Sequence, residues 1–295
     1  MIEQAQLSNE ESFSLSNEEA FSLRQRDIET ADGIARIAYI VCEPMEEAGF
    51  LNAFSTRLGG VSSLPANALN LTNFKGDTPE NVKENRHRFL EAIGAEGMPV
   101  ITMRQTHSTE RGFIDSADEA LKEPPGCDAL VSKLKNVLLA VQTADCAPVL
   151  IADTKSKAMA AIHAGWRGTA GRIVERAVAD LMRLGVNPRD CIAAIGPCAS
   201  AEFYEVGAEV IDRYKKEFGY WKELLVNFKA DGKCHLDVRA ANVQQLKFCG
   251  FDEEQIFVAP FCTMARNDLF FSYRLEAGGE PMKVGRLLSV IGRAK

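Results

Sequence analysis

The sequence predicts an α+β fold in which mixed β-sheets pack together under covering helices. Apolar runs typical of strands outnumber the segments with helical periodicity, and these runs come in hairpin-like groups. They do not alternate regularly with helices, as they would in a repeated β-α-β fold. The chain has 295 residues, of which 46% are hydrophobic, and this is enough to bury a full core.

The individual elements follow from their local patterns, which are apolar runs for strands and a period near 3.6 residues for helices. The predicted strands are ARIAYIVC (35–42), GFLNAFSTR (49–57), MPVITMRQTH (98–107), NVLLAVQ (136–142), APVLIAD (147–153), KAMAAIHAG (157–165), CIAAIG (191–196), QIFVAP (255–260), LFFSYR (269–274) and GRLLSVIG (285–292). The predicted helices are PENVKENRHRFLEAIG (79–94), GRIVERAVADLMRLG (171–185), VGAEVIDRYKKEFG (206–219) and LDVRAANVQQLKFCG (236–250). The helix over 171–185 has the clearest pattern and ends at a glycine.

The first 34 residues differ from the rest of the chain. They contain a tandem octad, LSNEESFS (7–14) followed by LSNEEAFS (15–22), which is rich in Glu and Ser and too short to bury a face of its own. Residues 1–34 are therefore predicted to form a flexible N-terminal extension. No Pro/Gly-rich linker divides the remainder, so residues 35–295 are predicted to form a single domain.

Composition excludes several classes of partner. The net charge is −7 and there is no dense Lys/Arg run, which argues against a nucleic-acid partner. No stretch approaches the roughly 18–20 apolar residues that a membrane helix needs. The chain starts without a secretory signal pattern, so a cytoplasmic location is expected. None of the eight cysteines forms a CxxC pair, which indicates reduced, mostly buried thiols rather than a zinc finger.

Three potential metal ligands lie at the ends of predicted strands. Of the four histidines, His107 and His163 each end a strand, and Cys146 follows one. Two imidazoles and one thiolate are the ligands of a catalytic zinc that keeps an open position. Spacing alone also allows each residue an ordinary core or loop role. His87 and His235 are expected to be solvated or structural.

A glycine-rich segment, HAGWRGTAGR (163–172), precedes the helix over 171–185. Gly165, Gly168 and Gly171 recur at every third position, so their backbone amides and the helix start are candidates for an anion cradle. Arg167 is a candidate clamp for a phosphate or carboxylate, and Trp166 a candidate stacking surface for a flat ring. The alternative is a plain glycine-rich turn with Trp166 in the core.

Two further arginines are candidates for binding the same anion. Arg57 lies in a second glycine turn, STRLGGVS (55–62), and Arg274 ends the predicted strand LFFSYR. Each arginine taken alone is more often an ordinary surface residue.

Several of these segments together resemble one family. RQTHS, TADCAPVL, HAGWRGTAGRIV, IGPC, YEVG and FFSYR, with TRLGGVS near the start, resemble the signatures of the laccase-domain family, also called the YfiH-like or multicopper polyphenol oxidoreductase family. The resemblance spans residues 50–291. It implies a four-layer α/β/β/α arrangement of packed sheets flanked by helices, and one zinc ion held by His107, Cys146 and His163.

The resemblance also implies an activity. Members are described as purine nucleoside phosphorylases that also deaminate adenosine and phosphorolyse methylthioadenosine, so purine nucleosides and phosphate are the expected partners. Deamination needs a proton shuttle, and Asp145 is a candidate; the alternative is that Asp145 only orients a metal ligand. The chain departs from the family pattern at Phe203, where Cys is frequent, and at Leu275, where Arg is common.

Two other functions remain open at this point. A multicopper oxidase needs many more imidazoles than the four histidines present, which leaves only weak polyphenol oxidation by adventitious copper. A cysteine hydrolase, such as an amidase acting on cell-wall precursors, would use Cys146 as nucleophile and His107 or His163 as base. Metal content separates this reading from zinc catalysis, because one thiolate cannot serve both roles.

Overall fold

Two six-stranded sheets form the centre of the molecule in the computed structural model, which describes residues 18–30, 33–64, 67–277 and 284–293. The first sheet has the order β1-β2-β3-β16-β8-β5, with all neighbours antiparallel except β5 and β8. Its strands are β1 (Phe21–Thr30), β2 (Gly33–Cys42), β3 (Leu51–Ser55), β5 (Val100–Ile101), β8 (Leu138–Thr143) and β16 (Leu287–Gly292).

The second sheet has the order β15-β11-β9-β10-β7-β6, and its β11–β15 and β6–β7 pairs are parallel. Its strands are β6 (Arg111–Ile114), β7 (Ala129–Ser132), β9 (Ala147–Asp153), β10 (Met159–Ala164), β11 (Cys191–Ile195) and β15 (Ile256–Val258). A small third sheet joins β12 (Glu205–Val206), β13 (Leu225–Val226) and β14 (Cys234–Leu236), and β4 (Leu58–Ser62) stands beside the first sheet.

Helices cover the outer faces of both large sheets. The α-helices are α1 (Glu43–Glu47), α2 (Pro79–Ala92), α3 (Trp166–Ala170), α4 (Ile173–Arg183), α5 (Ala208–Glu217), α6 (Trp221–Leu224), α7 (Val238–Phe248) and α8 (Tyr273–Glu276). Helix α2 begins where Pro79 follows Thr78, whose side chain accepts a hydrogen bond from the Asn81 amide, and it packs on the first sheet. Helices α4, α5 and α7 pack on the second sheet.

Strand alternation explains why the sheets stack in layers. In β9, Val149 and Ile151 belong to the core beneath the helices, whereas Leu150 and Ala152 belong to the core shared with the first sheet. Because successive side chains point to opposite faces, one apolar strand serves both cores. The predicted α+β architecture of packed sheets flanked by helices is therefore confirmed, with four layers in the order α/β/β/α.

The structure differs from the sequence prediction at the N-terminus. Strand β1 pairs along its whole length with β2, from Phe21 opposite Cys42 to Thr30 opposite Gly33. The prediction of a flexible extension reaching residue 34 was wrong for this part, because Phe21 and Ile28 bury their side chains in the two cores of the first sheet. The first octad lies outside the described residues, as do the first three residues of the second (15–17).

Two predicted strands depart most from the structure. Of residues 98–107, only Val100–Ile101 pairs in a sheet, because the side chain of Gln105 bonds to the backbone of Gln142 in place of further ladder bonds. Residues 269–274 are not a strand. Ser272 accepts a hydrogen bond from the Leu275 amide and caps the short helix α8, so Arg274 lies on a helix and not at a strand end.

Two further expectations concern the whole chain. The eight cysteines are free thiols and most are buried. Within the part of the chain that the structure describes, none of the helices combines the length and hydropathy needed to span a bilayer.

Candidate active site

Three side chains from separate parts of the chain converge where the two large sheets meet. The ligand atoms of His107, Cys146 and His163 all lie within 4.8 Å of one another. Cys146 occupies the turn that leads from β8 in the first sheet to β9 in the second, and His163 lies next to the end of β10. Since Ala164 pairs with Ala147, the hairpin of β9 and β10 brings His163 beside Cys146. The predicted cluster is thus assembled, although His107 lies in a loop and not at the end of a strand.

Asp128 orients one imidazole of the cluster. His163 Nδ1 lies 2.8 Å from Asp128 Oδ1, and both side chains are buried. An ionised carboxylate only accepts hydrogen bonds, so His163 donates through Nδ1 and keeps Nε2 for a metal ion. Burial by itself would raise the pKa of Asp128, but hydrogen bonds from His163 and Ser108 hold it well below its usual range.

The same carboxylate also holds the loop that carries the second imidazole. Asp128 accepts hydrogen bonds from the backbone amides of Thr106 (3.2 Å), His107 (3.1 Å) and Ser108 (2.7 Å), and from the Ser108 hydroxyl (2.6 Å). His107 has a left-handed backbone with φ of 57°, which is costly for a non-glycine residue and is maintained by these bonds. Asp128 was missed in the sequence, where its only signal is a carboxylate directly before the buried strand β7.

The surroundings shift the pKa values of the two imidazoles in opposite directions. Burial lowers the pKa of His163, but the charges of Cys146 and Asp128 outweigh burial and raise it to about 9. Burial and the nearby His163 lower the pKa of His107. The site therefore combines a cysteine sulfur, a carboxylate and imidazole nitrogens, which is a donor set that suits a divalent cation.

The three glycines of the 163–172 segment allow close packing around the cluster. A Cβ on Gly165 would lie 2.8 Å from His107 Nδ1 and 3.0 Å from Cys146 Sγ, and one on Gly171 would lie 2.4 Å from Thr109 Cγ2. Gly165 caps α3, Gly168 lies inside it and Gly171 ends it. The segment is therefore a short helix packed on the His107 loop, and not the open glycine loop that an anion cradle would require.

Trp166 and the two outer arginines line the space in front of the cluster. The Arg167 guanidinium lies 4.1 Å from the Trp166 ring centroid and forms an ion pair with Glu209 at 2.9 Å. The Arg274 guanidinium lies 5.0 Å from the Tyr204 ring centroid. Arg167 and Arg274 are exposed, so they lie at the mouth of this space.

Arg57 lies elsewhere, outside the lining of that space in the described chain. Its guanidinium is buried, pairs with Glu276 at 3.0 Å, and donates to the carbonyl oxygens of Asn267 and Phe270. It also lies 4.5 Å from the Phe271 ring centroid. Arg57 is thus engaged by the fold around α8 and does not face the metal cluster.

Asp145 borders the cluster, but its carboxylate is already occupied. It accepts hydrogen bonds from the Thr263 hydroxyl (2.6 Å), the Ser272 hydroxyl (3.1 Å) and the Arg274 amide (2.7 Å). Burial raises the pKa of Asp145 against the effect of these bonds. Its φ of 90° makes the turn sharp. These contacts tie the turn that carries Cys146 to two other segments.

A cavity of about 690 Å³ opens in front of the cluster, which is within the size range of small-molecule sites. Its lining combines aromatic rings, amides, hydroxyls and guanidinium groups. The lining residues are Thr72, Met103, Arg104, Gln105, His107, Gln142, Thr143, Ala144, Asp145, Cys146, His163, Trp166, Arg167, Tyr204, Tyr273, Arg274 and Arg286. This described lining contains four arginines and one carboxylate, although the whole chain has a net charge of −7. The cavity therefore favours anionic ligands.

The sequence reasoning missed several lining residues. Arg104, Thr143 and Tyr204 lie within the family motifs RQTHS, TADCAPVL and YEVG but were not singled out there. Thr72 and Arg286 carry no residue-type signal for binding. His87 and His235 do not line this cavity, and His235 bonds to the Ala201 carbonyl oxygen at 2.7 Å.

Comparisons with known proteins agree with the motifs. Residues 51–294 match the family model described as multi-copper polyphenol oxidoreductase laccase. The purine nucleoside phosphorylase of Deinococcus radiodurans is 36% identical over 245 residues, covering 82% of this chain and 88% of that protein. The adenosine deaminase RL5 of an unknown prokaryotic organism is 34% identical over 231 residues, covering 76% and 88%.

Solved structures show the same fold. YlmD from Geobacillus stearothermophilus superposes with a TM-score of 0.80 at 29% identity, covering 92% of this chain and 100% of that chain. YfiH, a hypothetical protein of Bacillus licheniformis, superposes with a TM-score of 0.79 at 29% identity, covering 86% and 96%.

Proposed function

This chain belongs to the multi-copper polyphenol oxidoreductase laccase family, and from that premise we propose that it is a zinc-dependent purine nucleoside phosphorylase. We propose that it also deaminates adenosine and phosphorolyses methylthioadenosine. The observation that carries the proposal is the His107–Cys146–His163 cluster in the wall of an arginine-rich cavity. Similarity to proteins named purine nucleoside phosphorylase and adenosine deaminase supports it.

The donor set fits zinc. Ligand atoms around a tetrahedral zinc ion with imidazole and thiolate ligands are roughly 3.3–3.8 Å apart, and the three here lie within 4.8 Å of one another. Because Gly165 has no Cβ, the space next to His107 and Cys146 stays free of side-chain atoms. Mixed nitrogen and sulfur ligands favour zinc over the harder cations. When bound, zinc supplies Lewis-acid chemistry and favours the deprotonation of water.

The side chains of the cavity supply the binding surfaces for a nucleoside and an anion. Trp166, Tyr204 and Tyr273 offer aromatic faces on which a purine can stack. Arg167 and Arg274, at the mouth, attract phosphate and orient it towards the interior. In phosphorolysis a phosphate oxygen bonds to C1′ as the C1′–N9 bond breaks, and the purine keeps the electron pair and takes up a proton. In deamination water replaces the C6 amino group, which leaves as ammonia.

Two carboxylates position the cluster in this proposal. Asp128 fixes the tautomer of His163 and the loop of His107, as the outer partners of metal ligands commonly do. Asp145 holds the turn of Cys146. Because three donors occupy its carboxylate, we assign Asp145 a positioning role in preference to a proton shuttle.

One experiment tests the proposed function directly. Purified protein is incubated with inosine and phosphate, and hypoxanthine and ribose-1-phosphate are measured; methylthioadenosine with phosphate and adenosine without phosphate are tested in parallel. Zinc content is measured on the same sample, with about one ion per chain expected. Absence of all products, or activity that survives His107→Ala unchanged, contradicts the proposal.

A second function is favoured by one specific feature. Cys146, His163 and Asp128 also have the order of a nucleophile, a base and an orienting carboxylate, as in cysteine hydrolases. That function needs a free thiolate and does not need His107. A metal-free protein that loses an amidase activity when Cys146 is alkylated, but keeps it in His107→Ala, would favour the hydrolase.

A further inference from the structure

Two threonines in the wall of the cavity have buried hydroxyl groups without a hydrogen-bond partner in the described part of the chain. Thr72 Oγ1 and Thr143 Oγ1 are buried, and neither has a partner among the described residues. Thr143 is 2% exposed, and both residues line the cavity that holds the metal cluster. A buried hydroxyl without a partner costs free energy in the folded protein, so such groups in a ligand cavity indicate that a ligand supplies the partner.

A guanidinium lies in the same part of the cavity. Arg286 is half-buried and, unlike Arg57 and Arg167, has no carboxylate partner in the described part of the chain. Its Nη1 donates to the carbonyl oxygens of Val284 (2.7 Å) and Gly285 (3.1 Å). These bonds fix the head group and leave Nε and Nη2 without partners among the described residues. Burial lowers the pKa of Arg286, and an anion beside it would offset this cost.

The backbone brings these three residues together from distant positions. The amide of Leu71, which precedes Thr72, donates to the Arg286 carbonyl oxygen at 3.2 Å. Thr143 pairs in the sheet with Leu287, which follows Arg286. The Arg286 amide donates to Asn70 at 3.0 Å. Three segments therefore meet at the start of β16, and each contributes a residue to the wall of the cavity.

We infer that Arg286, Thr72 and Thr143 form the subsite for inorganic phosphate, the co-substrate of the reaction proposed above. This inference rests on the proposed function. A tetrahedral oxyanion accepts hydrogen bonds from the guanidinium and from both hydroxyls at once, whereas a neutral ribose would leave the guanidinium charge uncompensated. Arg57 was the arginine that the sequence suggested for binding this anion. Its guanidinium instead donates hydrogen bonds to Asn267 and Glu276.

The test replaces Thr143 by valine, which keeps the shape and removes the hydroxyl. For zinc-loaded Thr143→Val we expect the KM for phosphate to rise about tenfold or more, with the KM for inosine and the zinc content unchanged. Thr143→Ser, which restores a hydroxyl, should return the KM for phosphate most of the way. Adenosine deamination without phosphate should be unaffected. Because the hydroxyl is unpaired within the described protein, Thr143→Val should unfold at the same temperature as wild type or higher.

A second pair of variants tests the guanidinium. Arg286→Gln should raise the KM for phosphate about 100-fold, whereas Arg26→Gln, which removes the same charge from an exposed position on β1, should not change it. Binding is also measured without turnover, as the rise in unfolding temperature that inorganic phosphate produces in zinc-loaded protein. This rise should be present in wild type and lost in both Thr143→Val and Arg286→Gln.

These readouts separate the inference from the proposed function. If wild type forms no ribose-1-phosphate but its stabilisation by phosphate depends on Thr143 and Arg286, the proposed function fails and the anion subsite stands. If wild type is a phosphorylase and Thr143→Val keeps the wild-type KM for phosphate, the subsite assignment is wrong. An equal rise of both KM values, or stabilisation by phosphate that survives both substitutions, also overturns it.

Discussion

Replacing Asp128 by asparagine removes the negative charge that holds two of the three metal-binding side chains in place. The carboxylate accepts hydrogen bonds from His163, from three backbone amides of residues 106–108, and from the Ser108 hydroxyl. An asparagine side chain has one oxygen and one NH2 group, and the NH2 group cannot accept a hydrogen bond from any of these donors. One side of the network is therefore lost in either orientation of the amide.

The size of the effect follows from the number of bonds affected. A buried donor that loses its hydrogen-bond partner costs about 1–3 kcal/mol. Two such losses lower the free energy of unfolding of the metal-free protein by roughly 2–6 kcal/mol. Loss of an outer partner of a metal ligand lowers metal affinity by roughly 10–100-fold. We expect both changes in Asp128→Asn.

The assay compares Asp128→Asn with a matched control. Asp153 is also a buried carboxylate, and it accepts hydrogen bonds from the Lys155 and Ser156 amides and the Ser156 hydroxyl, but it does not line the cavity. Asp153→Asn should lower stability in urea denaturation without changing zinc affinity, measured by competition with a chelator. Zinc affinity of Asp128→Asn within about twofold of wild type would refute the assigned orienting role.

Further substitutions test the other parts of the site. Gly165→Ala places a methyl group against His107 Nδ1 and Cys146 Sγ, so zinc affinity should fall at least about 100-fold. The circular dichroism spectrum should remain that of wild type. Retained zinc affinity would mean that the ion binds elsewhere. Arg57→Met leaves the Glu276 carboxylate without its buried partner and should lower the free energy of unfolding by roughly 3 kcal/mol; a selective rise in the KM for phosphate would instead restore Arg57 as an anion ligand. Arg167→Ala removes positive charge from the mouth of the cavity, so the KM for phosphate should rise roughly two- to fivefold with zinc retained; loss of zinc would indicate a structural role.

The extent of successful prediction differs between local and long-range features. Strands such as β9 and β10 and helices such as α4 were predicted because the spacing of their apolar residues is visible within a short stretch of sequence. Strand β1 was missed because its sequence is mostly polar and it lies at the edge of the sheet, where only Phe21 and Ile28 are buried. Its backbone is extended because it pairs with β2, and its local sequence alone does not predict a strand.

The candidate site divides in the same way. His107, Cys146 and His163 were found from residue type, position and family motif, and the structure brings them together. Asp128 and Arg286 have no such local signal. Each becomes recognisable only through a contact with residues distant in the chain or through its place in the cavity wall.

The sequence by itself determined the class of fold, most of the regular elements and the identity of the three side chains that cluster. These features depend on local backbone preference and on the chemistry of each residue type, and both can be recognised from consecutive residues in the sequence. Only the tertiary structure decided which arginines line the cavity, that Arg57 is bound to Glu276, and that two threonines of the cavity wall have buried hydroxyls without a partner among the described residues. Side-chain direction and burial depend on partners distant in sequence, and no local pattern encodes those partners.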